Sequence, residues 1–374
     1  MPRTVLLTLG RLPKALDIAR SFHHHGWRVL VAEPFAWHLC RVSNAVDRSF
    51  TVTAPVIDQE AYLQDLLGII RREGVELVVP VSEEIIHAAH LGPLLPPDVR
   101  LYARPPAELL PLHSKAQFIE RAAAHGVAAP ETHLLGSAGA AALAARGPVV
   151  VKPVFSCSGR GVQFLPAGSP LPAADPSVPA VVQARVAGDV FTSFSIAHAG
   201  RALATVVYRG AVMSGTVAVC FERVVGHGAI EAWVDRFIEG AGFDGFISFD
   251  FVVDAAGTAW GIECNPRATS GIHFVETADI APAVIDPAAA PPVRFRSTRF
   301  MQQFWPSLTE WQNARGEQRR RCGHYLRMAR DVTWRASDPL PLLTMPFTAW
   351  NIISLASREG RRFGEVATRD VGWY

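Results

Sequence analysis

The chain has 374 residues, 49% of them apolar and 19% charged, with a formal net charge of +2 from 36 basic and 34 acidic side chains. These values suit a soluble enzyme of two or three domains; they exclude a disordered or collagen-like chain and any global polyanion-binding field. The five cysteines (Cys40, Cys157, Cys220, Cys264, Cys322) form no CxxC pair, which argues against a disulfide framework or zinc ribbon and fits a reducing compartment.

Residues 4–9 (TVLLTL) read as a buried strand ending at Gly10. The apolar run of MPRTVLLTLGR is too short for a secretion signal, so the expected location is the cytoplasm. Residues 13–25 follow as a helix, 27–32 as a strand closed by Glu33, about 59–73 as a helix and 77–81 as a strand. This alternation predicts a parallel sheet covered on both faces, one open α/β domain up to about residue 110. Glu33 sits where dinucleotide-binding folds hold a ribose, but Gly10-Arg11-Leu12-Pro13-Lys14 lacks the further glycines that admit a pyrophosphate. A nicotinamide cofactor is therefore not expected.

His23-His24-His25 cannot share one helix face, so a polar helix end is the expectation there. Glu83 and Glu84 follow the third strand, where they serve equally as ligand-facing acids or as charges at a helix N-terminus.

Only three lysines occur against 33 arginines. Lys14 lies in the loop just discussed. Lys115 follows Ser114, with Gln117 completing a capping-box pattern, and a cation in a first helical turn makes sense if an anion docks beside it. Lys152 ends the first of two apolar strands in VVVKPVFSCSGRGVQF (149–164), ahead of the loop Ser156-Cys157-Ser158-Gly159-Arg160-Gly161. Small residues and glycines there let successive N–H groups converge on a phosphate, and the lysine adds a point charge.

The most informative segment is FISFDFVVDAAGTAWGIECNPR, 246–267. Alternation puts Ser248, Asp250 and Val252 on one face, and after a turn at 255–258 places Ala259, Gly261, Glu263 and Asn265 together. A four-residue or a two-residue loop gives the same register, with paired numbers summing to 513, so Asp250 opposes Glu263 and Ser248 opposes Asn265. Two facing carboxylates repel unless a cation or proton intervenes, and magnesium takes such oxygens together with substrate phosphates. Cys264 points away, into packing.

Two phosphate-directed lysines, a Gly-rich loop and an Asp…Glu-x-Asn hairpin, in that order, resemble the ATP-grasp superfamily over residues 1–285, in particular its carboxylate–amine ligases and relatives of the carbamoyl-phosphate synthetase large subunit. The resemblance implies an α/β and α+β architecture: an N-terminal open parallel pre-ATP-grasp domain (1–112), a small subdomain with the glycine-rich loop (113–190), a large subdomain with the metal site (191–290) and a C-terminal extension (291–374). It implies that Lys115 and Lys152 hold phosphates, that the loop with Ser156, Ser158, Gly159 and Gly161 closes over them, and that Gln183, with backbone near Arg185 and Val186, meets adenine. It further implies that Asp250, Glu263 and Asn265 bind two magnesium ions, with manganese as a substitute, and that Arg267 faces the transferring phosphoryl or the substrate carboxylate. The chain departs from the family at Gln183, where an acid is usual, and at Val190, where the ribose-binding acid often falls; Asp189 is the substitute. No third phosphate-binding lysine exists, leaving Arg209 or Arg223.

The implied activity is phosphorylation of a carboxylate by ATP and capture of the acyl phosphate by an amine, with amino acids among the candidate substrates. The alternatives are phosphorylation of bicarbonate or carbamate, and a non-catalytic ATP-binding protein. Residues 291–374 hold five of the nine tryptophans and 14 basic against 7 acidic residues. No nucleic-acid motif accompanies them. Prolines interrupt the uncharged stretch 339–357, so a membrane span is not expected; the arginines after it leave an interfacial helix as a lesser alternative to packing on the core. A homodimer is allowed.

Overall fold

β1 (Thr4–Leu7) is buried along its whole length, and the helix Pro13–His24 that follows begins on a proline, whose missing N–H costs nothing at that position. β2 (Arg28–Glu33), β3 (Arg48–Thr51), β4 (Leu77–Val79) and β5 (Arg100–Leu101) complete a five-stranded sheet in the order β3-β2-β1-β4-β5, parallel throughout. The helix Gln59–Glu73 starts where Asp58 accepts from the Ala61 N–H at 2.9 Å and stops at Gly74, with φ of 64°. The order in which strands are added reverses between β1 and β4, so the connections leaving these two strands go to opposite faces and open a crevice at their carboxyl ends. The structure, a computed structural model, describes residues 2–157, 159–361 and 366–374.

β6 (Thr132–Leu134), β7 (Val149–Pro153), β8 (Gln163–Leu165) and β9 (Ala180–Ala184) form a small antiparallel sheet in the order β6-β9-β7-β8. The helix Ala138–Arg146 covers it through Ala140, Leu143 and Ala144. The third sheet joins β10 (Asp189–His198), β11 (Arg201–Ser214), β12 (Val217–Val224), β13 (Gly245–Val253), β14 (Ala259–Asn265), β15 (Phe300–Gln302) and β16 (Arg330–Asp331) in the order β14-β13-β10-β11-β12-β15-β16. On one face the helix Gly228–Ala241 packs Trp233 and Phe237 against Phe249 and Phe251, with ring centroids 4.9–5.0 Å apart. Phe194, Tyr208 and Phe221 belong instead to a core shared with β1 and the helix Pro13–His24.

The C-terminal region is continuous with this body. β15 pairs with β12, and residues 366–374 return to the N-terminal sheet, where Arg11 grips Asp370 and Trp373 packs 4.8 Å from His87. No helix among the described residues is long and apolar enough to cross a membrane. His23, His24 and His25 form an exposed helix end, with His25 Nε2 2.6 Å from the Ala278 carbonyl.

The 246–267 hairpin departs from its expected register near the turn. Ser248 pairs with Asn265 and Asp250 with Glu263, as 513 requires, but Phe251 pairs with Gly261 and Val253 with Ala259, a sum of 512. The turn is a three-residue loop with Gly257 at φ 83°, and Ile262 is the extra residue of a β-bulge that restores the register. Ala259 and Gly261 consequently face the helix Gly228–Ala241, where a Cβ on Gly261 would lie 2.4 Å from Trp233. They do not share the face of Glu263 and Asn265, as strict alternation had suggested.

Candidate active site

A cavity of about 850 Å³ lies between the carboxyl ends of β1 and β4 and the third sheet. Leu12, Lys14 and Glu83 reach it from the first sheet's loops, Asp250 and Thr192 from adjacent strands, Glu263, Asn265 and Arg267 from the end of the hairpin, and Gly159 from the glycine-rich loop.

Asp250 is held at one oxygen by the Thr192 hydroxyl, 2.8 Å away, and at the other by the Asn265 amide, 3.1 Å away. Burial and the facing Glu263 push its carboxyl up to about 6. Lys115 Nζ lies 3.3 Å from Glu263 and donates to the Ser156 carbonyl at 2.8 Å, tying the glycine-rich loop to the hairpin. Lys152 Nζ donates at 2.9 Å both to Gln183 Oε1 and to the carbonyl of Ile262, the bulged residue, and burial pulls its ammonium down to about 8. The bulge thus does two jobs: it turns Glu263 into the cavity and aims a free carbonyl at a lysine.

Asn265 turns its oxygen to Arg267, 2.9 Å away, and its nitrogen to Asp250; a half-turn about χ2 exchanges them. Arg267 is fixed by an ion pair with Glu83, while its Nε, buried, has no hydrogen-bond partner among the described residues. Glu84 serves differently from its neighbour. It accepts the Val81 and Ser82 N–H groups and the Thr8 hydroxyl, bracing the turn after β4. Glu84 thus braces the turn ahead of the helix without capping it, while Glu83 lines the cavity paired with Arg267.

In the glycine-rich loop, Gly159 and Gly161 have φ of 68° and 73°, the left-handed geometry that turns N–H groups to one side. Gly159 approaches the β11–β12 turn so closely that a Cβ would be 3.0 Å from Thr216. Ser156 is buried; Ser158 lies outside the described residues. Gln183 is buried with its amide nitrogen on Thr132 at 3.0 Å. Arg185 is exposed, its guanidinium 5.4 Å from the Phe164 ring, and Val186 lies in the connection to β10. Asp189 begins β10 at the cavity margin. Of the two candidate arginines, Arg209 lines the cavity and pairs with Glu222 at 2.8 Å, whereas Arg223 donates to the Arg296 carbonyl and stacks on Phe295 outside it.

Glu33 has no room for a ribose. Its buried carboxylate accepts the N–H groups of Gly10, Arg11 and Phe35 and pairs with Arg11. Lys14, Thr192 and Tyr208 line the cavity without having been assigned to it from the sequence. Lys14 was marked by lysine scarcity, while Thr192 and Tyr208 had no signal. Among the described residues no three His, Cys, Asp or Glu side chains are gathered for a metal, so a cation here depends on two carboxylates and an amide.

No family model matches the chain, and no curated protein matches it in sequence. Solved structures do match in shape. The ADP complex of N5-carboxyaminoimidazole synthetase from Staphylococcus aureus is 13% identical, with 79% of this chain and 80% of that one covered at a TM-score of 0.59. L-amino acid ligase from Bacillus licheniformis is 15% identical over 76% and 74%, at 0.58. The biotin carboxylase domain of Hydrogenobacter thermophilus 2-oxoglutarate carboxylase, with MgADP, ADP and bicarbonate, is 13% identical over 74% and 67%, also at 0.58. The fold is an ATP-grasp fold.

Proposed function

We propose that the chain is an ATP-dependent carboxylate–amine ligase, in which ATP phosphorylates a substrate carboxylate and an amine displaces phosphate to give an amide, ADP and phosphate. The observation that carries this reading is Asp250 opposite Glu263 at the cavity edge. Asp250 is half-buried, and desolvation and the facing Glu263 hold its carboxyl at about 6, a mismatch that a divalent ion relieves. These oxygens suit magnesium or manganese, and the likeness to enzymes crystallised with ADP and MgADP supports the same cofactors here.

Bound magnesium and ATP supply the transferable phosphoryl group and the charge neutralisation its transfer requires. Asp250, Glu263 and Asn265 would hold the metal ions. Lys115 and Lys152, both buried, would ground phosphate oxygens, and the N–H groups around Gly159 and Gly161, with Ser156 and Ser158, would close over them and exclude water. Gln183, the backbone at Arg185 and Val186, and Asp189 would take the adenosine, and Arg209 would stand in for the missing third lysine. Arg267, braced by Glu83 and Asn265, would orient the carboxylate, its unpartnered Nε leaving a donor for it. The cytoplasm, where thiols stay reduced, suits the five free, buried cysteines.

A second reading, bicarbonate or carbamate as acceptor, draws support from the neighbour crystallised with bicarbonate. One experiment separates them: ADP release with magnesium, hydroxylamine and a panel of carboxylic and amino acids. Hydroxamate formation supports the ligase; turnover that needs bicarbonate alone supports the alternative; AMP as product excludes both. The double variant Asp250→Asn/Glu263→Gln is expected to lose activity by about 10²–10³-fold or more, and unchanged turnover would refute the site.

A further inference from the structure

The helices Leu340–Leu343, Met345–Thr348 and Trp350–Glu359 run on almost without a break, joined by the i→i−4 bonds of Thr348 to Thr344, Ala349 to Met345 and Ile353 to Ala349. Their inner side buries Met345, Ala349, Ile352 and Ala356 at helical spacing, the last two against Leu12 and Phe35. The outer side ought to be polar, as on any surface helix. Instead Leu340, Leu343, Phe347, Trp350 and Ile353 stand 46%, 58%, 77%, 64% and 39% exposed. Trp37, 59% exposed, comes from the loop leading into Leu39–Val42, which packs on Leu340–Leu343. An apolar face of this size on both sides of one helix implies that something covers the second side.

Charge narrows what that is. Residues 339–357 contain no charged side chain, so the face enters an apolar medium without desolvating an ion. Arg41, over the Trp37 ring, and Arg358 border it, and neither is paired with a carboxylate among the described residues. The nearby acids are taken: Glu359 by Arg361 and Arg369, Asp338 by Arg20, and Asp370 by Arg11. A two-fold contact between copies would bring these arginines toward one another with no free acid among the described residues to answer them.

We propose that this face docks on an anionic phospholipid surface. The helix lies in the plane of the bilayer, Leu343, Phe347 and Trp350 reach the boundary of headgroups and acyl chains, and Arg41 and Arg358 meet lipid phosphates. The contact is peripheral, in keeping with the absence of a spanning helix among the described residues.

The test is co-flotation of the full chain with vesicles of phosphatidylcholine alone and of phosphatidylcholine mixed with phosphatidylglycerol. Binding to the mixed vesicles only, weakened by salt, is expected. Arg358→Glu should weaken it by about fivefold or more, and Phe347→Glu/Trp350→Glu, both on exposed positions and checked by an unchanged melting temperature, should abolish it. Failure to float with either vesicle overturns the proposal. So does equal binding to both, or a concentration-dependent dimer in lipid-free buffer that Phe347→Glu disrupts while vesicles go unbound; that last result would give the face to a second copy. None of these readouts depends on ATP turnover.

Discussion

Lys14 carries an unusual burden for a single side chain. It sits in a first helical turn that carries no acid of its own, 8% exposed, its Nζ donating to the Ala268 carbonyl at 2.6 Å, with Glu83 and Glu84 favouring its charge from the neighbouring loop. Burial first, and then Arg267, pull its ammonium down to about 7. In the unfolded chain a lysine keeps its proton to about 10.4. Between those values the unfolded state binds more protons, so the Lys14 contribution to stability rises with pH from about 7 to about 10 and is flat below. Urea unfolding of the wild type and Lys14→Met at pH 6 and pH 9 checks this: wild type gains on the variant at pH 9. Glu33 makes the opposite case, a charge fully satisfied. Glu33→Gln leaves Arg11 buried without its first partner and is expected to cost about 3–5 kcal/mol in the same assay, a loss visible as a lower denaturation midpoint.

At the level of elements, the hairpin β13–β14 shows how far local pattern reaches. Alternation around Asp250 and Glu263 correctly implied their opposition, because one face must be apolar to meet Phe237 and Trp233, and that demand sets the parity of every neighbour. The bulge at Ile262 escaped notice since the three-residue turn offsets the one inserted residue and leaves the Asp250–Glu263 pairing where a turn of two or four residues would put it. Glu33 is ambiguous for a similar reason: an acid after a second strand looks alike whether it faces a sugar or its own backbone, and only the missing glycines of the preceding loop argued against a dinucleotide. Lys14, Thr192 and Tyr208 were out of reach because the cavity they line forms only when two sheets distant in sequence meet. The hairpin also implies a trade. Asp250 and Glu263 repel when no cation is present, so Asp250→Asn should raise the melting temperature of the metal-free protein, by roughly 1 kcal/mol of stability, while removing the further rise that magnesium gives the wild type. Scanning calorimetry with EDTA and with magnesium reads both arms.

Across the whole molecule, the terminal segment ties the glycine-rich loop to the first sheet. Cys157 Sγ lies 3.7 Å from the Thr368 hydroxyl and 3.6 Å from Tyr374, and Thr368 lines the cavity beside the loop. All five thiols are buried, so native protein should react with none of a thiol-specific disulfide reagent. Truncation before residue 366 should expose Cys157 and give one fast-reacting equivalent, which Cys157→Ser abolishes; an unreactive truncated protein would mean that other parts of the chain shield the thiol.

The bond between Arg11 and Asp370 spans 359 positions of sequence. During synthesis Arg11 must wait, with Glu33 alone for company, until all the sequence between it and Asp370 has been translated. The seam that closes the cavity therefore forms later than the sheets it joins, and the loop-closure entropy of so distant a contact falls on that step. A nascent chain held on the ribosome would present three mostly formed sheets around an unfinished pocket, exposed to chaperones until the terminal segment closes it.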